Sequence, residues 1–255
     1  MISSRIVAVA SDIHFDLQHR PSWKAFTEWH AHVKPYRTVL LGDIVDLGML
    51  SKYLQEPDAE VNAIPQVKYM VREVNKLAER SSVTIMYGNH DERWEKIIFG
   101  SAPAALKGAI GLSLKEQAYA QGMDPKVEWT SEGTDARGIR VGQFLLRHGH
   151  RQSGRFGGGR HLAANRIAKS LGTSELFGHH HRAQMFCQTT DGKTAIAIAN
   201  PCLTKDHGYA PDADWQRGFT ILELNAPKFD TATPHLIVMK NGVFSWGGKT
   251  YGVAK

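Results

Sequence analysis

Short apolar runs rich in β-branched residues recur along the chain, and each stops at a polar residue: RIVAVASD (5–12), RTVLLGD (37–43), VTIMYGN (83–89), QFLLRHG (143–149) and SELFGH (174–179). Unbroken apolar runs of this length are what strands buried on both faces leave in a sequence. Helical patterns separate the first three. Residues 21–33 (PSWKAFTEWHAHV) open with Pro21, which suits a first helical position. Residues 67–77 place Val67, Met70, Val71, Val74 and Leu77 at helical spacing. Strand, helix, strand, helix, strand predicts a parallel sheet with covering helices.

The second half of the chain changes character. TTDGKTAIAIAN (189–200) carries Asp191-Gly192 between strand-like runs, and HLIVMKNGVFSW (235–246) carries Asn241-Gly242; both read as hairpin turns. GFTILELN (218–225) adds another strand. These strands predict a second, largely antiparallel or mixed sheet stacked on the first. No repeat, low-complexity tract or linker interrupts the sequence, so a single domain over residues 1–255 is expected. The least periodic region, 91–138, predicts short helices such as SLKEQAYAQ (113–121), with 92–138 as a lid insertion over the site.

Composition narrows the class. With 255 residues and 42% hydrophobic content the chain can bury one sizeable core. Two cysteines, Cys187 and Cys202, are too few for a disulfide framework, so a reducing cytosol is the default. The apolar start RIVAVA is six residues long and leads at once to Asp12 and His14, unlike a signal peptide or membrane span. A soluble cytoplasmic protein is expected. The formal charge of +6 is local: residues 136–174 hold eight basic residues and no acidic one. Removing those eight leaves 23 basic residues against 25 acidic. A local basic surface suits a phosphate or polyanion, although a plain solvated face would look the same.

Ligand sites in open α/β sheets collect at the carboxyl ends of the strands, and the polar residues fall there. The first strand leads into Asp12 and His14, which share a direction if the chain stays extended. The second leads into GDIVD with Asp43 and Asp46, and two carboxylates after a buried strand are costly unless paired or bound to a cation. The third leads into GNHD with Asn89, His90 and Asp91. The later two lead into HGH, with His148 and His150, and GHHH, with His179, His180 and His181. Any one cluster reads as a turn or cap; five at five strand ends point to a metal site.

This ordered set, D-x-H, G-D-x-x-D, G-N-H-D, H-G-H and G-H-x-H, resembles the calcineurin-like metallophosphoesterase superfamily over residues 6–201. The resemblance implies an α/β fold, a four-layer α/β/β/α sandwich of two mixed β-sheets flanked by helices, with two metals between the sheet ends. Position by position, it assigns Asp12, His14, Asp43 and His181 to one metal and Asp43, Asn89, His148 and His179 to the other, Asp43 bridging. Asp46 would orient His90 and bind no metal. An extended trace over 177–181 would put His179 and His181 on one face and turn His180 away. The pattern leaves His150 unassigned.

Mixed His, Asp and Asn ligands suit two divalent transition metal ions, manganese first, with iron, zinc or nickel as alternatives. The expected chemistry is hydrolysis of a phosphoester by a metal-bridging hydroxide, with His90 stabilising charge or protonating the leaving oxygen. The phosphoprotein phosphatase branch would place Arg-Gly after the second carboxylate and Glu after GNH; here Leu47-Gly48 and Asp91 stand there. HGH and NPCL (200–203) look more like small bacterial and phage phosphodiesterases. Between the fourth and fifth motifs, RQSGRFGGGRHLAANRIAK (151–169) offers Arg151, Arg155 and Arg160 to phosphate, with a helix over 160–171, and Trp94 to a stacked base. A phosphodiesterase acting on nucleotides or nucleic acid is the leading expectation. Its rivals are a phosphomonoesterase of protein or small molecules and a non-catalytic scaffold. His19, His30, His32, His161, His207 and His235 receive no chemistry.

Overall fold

The structure is a computed structural model that describes residues 5–51, 62–101, 111, 113–131, 138–151, 162–169, 172–207 and 214–253. Its first half alternates as the periodicity predicts: β1 (Arg5–Ala10), α1 (Arg20–Val33), β2 (Arg37–Leu41), α2 (Ile64–Ala78) and β3 (Ser82–Tyr87). Then follow α3 (Glu92–Ser101), α4 (Leu114–Ala120), β4 (Glu128–Ser131), β5 (Ile139–Val141), β6 (Phe144–Arg147), α5 (Leu162–Lys169) and β7 (Ser174–Phe177). The chain continues through β8 (Gln184–Thr190), β9 (Lys193–Ala199), β10 (Arg217–Leu224), β11 (Ala232–Met239), β12 (Phe244–Trp246) and β13 (Lys249–Tyr251).

Two large sheets result. The first has the order β11-β10-β1-β2-β3-β4, parallel from β1 to β4 and antiparallel at β10 and β11. The second has the order β5-β6-β7-β9-β8, with β6, β7 and β9 parallel. Alternation along the strands builds the layers. Val7, Val9, Val39, Leu41 and Met86 face Phe144, Leu146, Leu176 and Ile198 of the second sheet. Their neighbours Ala8, Ala10, Leu40 and Ile85 pack under Trp23, Phe26, Trp29, Met70 and Val74 of α1 and α2. On the far side α5 sets Ala163 on Ala195 and Ala197, and Leu162 on Phe177 and Ala199. The fold is therefore the four-layer α/β/β/α sandwich, and coverage of both strand faces explains the unbroken apolar runs.

The Asp191-Gly192 turn closes the β8–β9 hairpin with Thr190 opposite Lys193. Two other expectations need correction. β10 and β11 extend the first sheet beyond β1 and take no part in the second. The Asn241-Gly242 turn closes only a bridge between Lys240 and Val243; β12 then pairs with β13. Packing decides this: Phe244 leaves the sheet direction to lie against Phe219 and Tyr251. In the 91–138 region α4 carries a Ser113–Glu116 capping box, and β4, which the weak periodicity hides, runs parallel to β3. Among the described residues no helix is long and apolar enough to cross a membrane.

Candidate metal centre

Parallel register brings the motif-bearing strand ends to one edge: Ala10 lies opposite Leu40, Leu41 opposite Met86, and Arg147 opposite Phe177. The backbone does not stay extended past these ends. Asp12 (φ 52°), His14 (44°), Asp43 (52°), His179 (71°) and His181 (58°) all adopt the left-handed region. This corrects the idea that Asp12 with His14, and His179 with His181, share a face because the trace is extended. They converge through tight turns whose strain is about 1–3 kcal/mol per residue, a cost the surrounding hydrogen bonds must outweigh. The Asp12 N–H donates to the Gly42 carbonyl (2.9 Å), and the His14 N–H to the Asp43 carbonyl (3.0 Å). Asn200 of the Asn-Pro turn donates to Ser11 Oγ (2.8 Å) and accepts from Thr220 Oγ1 (2.7 Å), which ties β9 to β1 and β10.

Two clusters with ligand-like spacing form side by side, Asp12–His14–His181 and Asp43–His148–His179, and a third, His14–Asp43–His90, overlaps both. In the first, His14 Nδ1 donates to Asp46 Oδ1 (2.9 Å), so Nε2 must carry the lone pair. That Nε2 is buried and has no hydrogen-bond partner, and neither has His181 Nδ1. A buried acceptor left without a donor is costly, and a cation would relieve it. His181 Nε2 lies 3.2 Å from Asp12 Oδ1, and the His179 N–H donates to Asp12 Oδ2 (3.0 Å). Burial alone would raise the Asp12 carboxyl, but the facing His181 holds it below the usual range.

In the second cluster His148 Nδ1 donates to the Leu41 carbonyl (2.8 Å), which aims Nε2 at Asp43 Oδ2 (3.3 Å) and Asn89 Oδ1 (3.2 Å). Burial opposes a charge on His148, yet Asp43 overrides it and pushes the imidazole up to about 10. His179 is drawn the other way, down to about 4, by burial and by His148. The buried carboxylates thus attract positive charge into the pocket, as a cation site requires. The donor set fits divalent transition metals.

Between the clusters, Asp46 Oδ1 lies 2.9 Å from His90 Nδ1 as well as from His14 Nδ1. The His90 N–H donates to Asp43 Oδ1 (2.8 Å). Arg93 forks over this corner, with Nη1 donating to the Asp46 carbonyl (2.8 Å) and Nη2 3.1 Å from His90 Nε2. Asp91 turns inward and accepts from the N–H groups of Gly88 (2.8 Å), Ile44 (3.0 Å) and Val45 (3.2 Å), pinning the turns after β2 and β3 together. Burial and then Asp43 push its carboxyl up to about 7. Gly88 is required because any Cβ there would run into the Asp43 carboxylate.

The remaining expected residues lie further out. Arg151 Nη2 is 2.5 Å from Glu92 Oε1, and His150 Nε2 is 3.4 Å from the same oxygen. Trp94 is half-buried against the helix-side core. His180 has its ring against His179 and Phe177. Arg155 and Arg160 lie outside the described residues. Sequence reasoning missed His207 and Trp215. His207 Nε2 lies 2.7 Å from Thr204 Oγ1, its ring 5.1 Å from that of His14, while Trp215 stands 4.3 Å from the His181 ring. Neither sits in a motif or at a strand end of the second sheet, so no local signal marks them.

The chain is 24% identical over 270 residues to the Gene 54 protein of Mycobacterium phage L5, covering 99% of this chain and 100% of that one. Among solved structures it is similar to Vacuolar Protein Sorting 29 from Cryptosporidium Parvum (16% identity, TM-score 0.47, 97% and 95% of the two chains covered). It is also similar to the nuclease MPE of Pseudomonas putida (14%, TM-score 0.37, 90% and 87%) and to Yfce, a phosphoesterase from E. coli (12%, TM-score 0.39, 91% and 99%). A sequence profile of the calcineurin-like phosphoesterases matches residues 6–183, which is more than half of the chain. The chain belongs to the calcineurin-like phosphoesterase family.

Proposed function

We propose that this phosphoesterase is a binuclear enzyme that hydrolyses phosphodiester bonds of nucleotides or nucleic acid. The observation that carries the reading is the position of Asp43: its Oδ2 is 3.3 Å from His148 Nε2 and 3.9 Å from His14 Nε2, between the two clusters. Asp12, His14, Asp43 and His181 would hold one ion, and Asp43, Asn89, His148 and His179 the other. Two divalent ions bound there, manganese by preference, supply Lewis acidity to a phosphoryl oxygen and lower the pKa of a shared water.

The chain's own groups do the positioning. Asp46 keeps His14 and His90 with Nδ1–H inward, so each ring presents Nε2 to the pocket. His90 Nε2 lies 4.0 Å from Asp43 Oδ2, which would bring it beside a phosphoryl group held by the ions. Asp91 fixes the two turns on which Asp43, Asn89 and His90 ride. The local run of basic residues supports a polyanion over a small neutral-tailed ester.

A reconstitution panel tests this reading: mono- and bis-p-nitrophenyl phosphate, cyclic nucleotides, and single- and double-stranded DNA and RNA, each with manganese and with chelator. Faster turnover of the bis ester, lost in chelator, is expected. Preference for the monoester would replace this reading with a phosphomonoesterase, and no turnover with any metal would favour a scaffold. Unchanged turnover in His90→Ala on an ester with a poor leaving group would remove His90 from the chemistry.

A further inference from the structure

We infer that Arg93 is the anion-binding residue of this site, its guanidinium taking a non-bridging phosphoryl oxygen beside His90. The inference rests on the phosphoesterase reading above and adds a residue that none of the five motifs contains.

Arg93 is the second residue of α3, so the turn after β3 that carries Asn89 and His90 also delivers this side chain. Two contacts anchor the guanidinium at the edge of the pocket, Nη1 on the Asp46 carbonyl (2.8 Å) and Nη2 beside His90 Nε2 (3.1 Å). Neither contact neutralises it, because one partner is a backbone carbonyl and the other an imidazole nitrogen. Of the five N–H donors of an arginine these contacts use two, which leaves donors for a ligand.

The neighbouring cations behave differently. Glu92 takes Lys96 Nζ (3.0 Å), His150 Nε2 (3.4 Å) and Arg151 Nη2 (2.5 Å). One carboxylate thus engages three basic groups on that flank. Among the described residues, no carboxylate oxygen lies within ion-pair distance of Arg93. Arg93 is only half-exposed, so its charge is less screened than that of a surface lysine. A fixed, half-buried, unneutralised guanidinium next to a group that faces the reacting centre is suited to a phosphoryl oxygen by charge and by planar geometry.

The test compares the manganese-loaded wild type with Arg93→Lys and Arg93→Gln. Calorimetric binding of orthophosphate, KM and kcat on bis-p-nitrophenyl phosphate, and manganese content are measured on each. Gln is shorter and carries no charge, whereas Lys keeps the charge and loses the fork. The expected order of phosphate affinity is wild type, then Lys, then Gln, with Gln weaker than wild type by about tenfold or more. KM should rise in step with manganese content unchanged. Orthophosphate binding by Arg93→Gln as tight as by wild type, or no better by Arg93→Lys than by Arg93→Gln, overturns the inference. A wild type that binds phosphate through Arg93 yet turns over no ester would instead sink the catalytic reading and leave Arg93 as an anion site.

Discussion

His14 and His148 occupy equivalent places in the two halves of the pocket, but different parts of the chain hold them. His14 is fixed by a side chain, through Nδ1 to Asp46, and burial lowers its pKa. His148 is fixed by the main chain, through Nδ1 to the Leu41 carbonyl, and Asp43 draws a proton onto it despite its burial. Surroundings differ as well. His207 and Trp215 crowd the first half with rings, whereas Asn89, His150 and the Glu92 cluster flank the second. One half is therefore tuned by residues that substitution can reach, and the other by backbone geometry and by a proton that a cation must displace.

Asp43 is common to both halves, so its loss should erase the difference. Asp43→Asn is expected to lower activity by about 10³-fold, several kcal/mol of transition-state stabilisation, to halve the carboxylate charge available to the first ion and to remove it from the second. Metal titration followed by kinetics checks this; uptake of two ions with wild-type turnover would break the account. The next largest effect separates the halves by pH. Asp12 and His14 are both shifted toward their deprotonated forms, so they release no proton on binding between pH 7 and 9. His148, pushed up to about 10, must lose one. Affinity of the second half should then rise about tenfold per pH unit over that range while the first stays flat. Calorimetry in buffers of different ionisation enthalpy reads the proton directly, and equal pH slopes would remove the distinction.

Smaller effects sharpen the same contrast. Asp46→Ala frees His14 and should weaken the first ion by about 10–100-fold, as loss of an orienting partner does, with the second ion little changed. Competition against a graded chelator resolves the two steps; equal weakening of both would show that Asp46 acts on the whole pocket. Trp215→Ala removes an aromatic contact worth about 0.5–1.5 kcal/mol and should cost the first ion about 2–12-fold. No change in either step would make Trp215 a bystander.

Much of the fold was legible because burial on both faces leaves an unmistakable trace in β1, β2, β3, β6 and β7. What local pattern cannot encode is the partner of a strand. GFTILELN is a strand in either sheet, and only the antiparallel register of Ile221 with Ala8 and His235 puts β10 in the first. β4 reads EWTS and is not fully buried, so it leaves no apolar run of the kind that marks β6 and β7 at the same length, and Asn241-Gly242 has turn chemistry without a hairpin because Phe244 finds its packing elsewhere. The site shows the same limit. Asp12, His14, Asp43, His148, His179 and His181 were marked by their place after apolar runs, yet the left-handed turns that bring them together are invisible in a spacing rule. Trp215 reaches the pocket through three-dimensional packing alone, whereas Arg93 follows His90 by three residues but belongs to no motif that would mark it.

The most direct test is a crystal of the manganese-loaded protein with diffraction measured at the manganese edge. Two anomalous peaks roughly 3.5–4 Å apart are expected, one against Asp12, His14 and His181, the other against Asn89, His148 and His179, and both within bonding distance of Asp43. A single peak, or two peaks that do not share Asp43, would contradict the account.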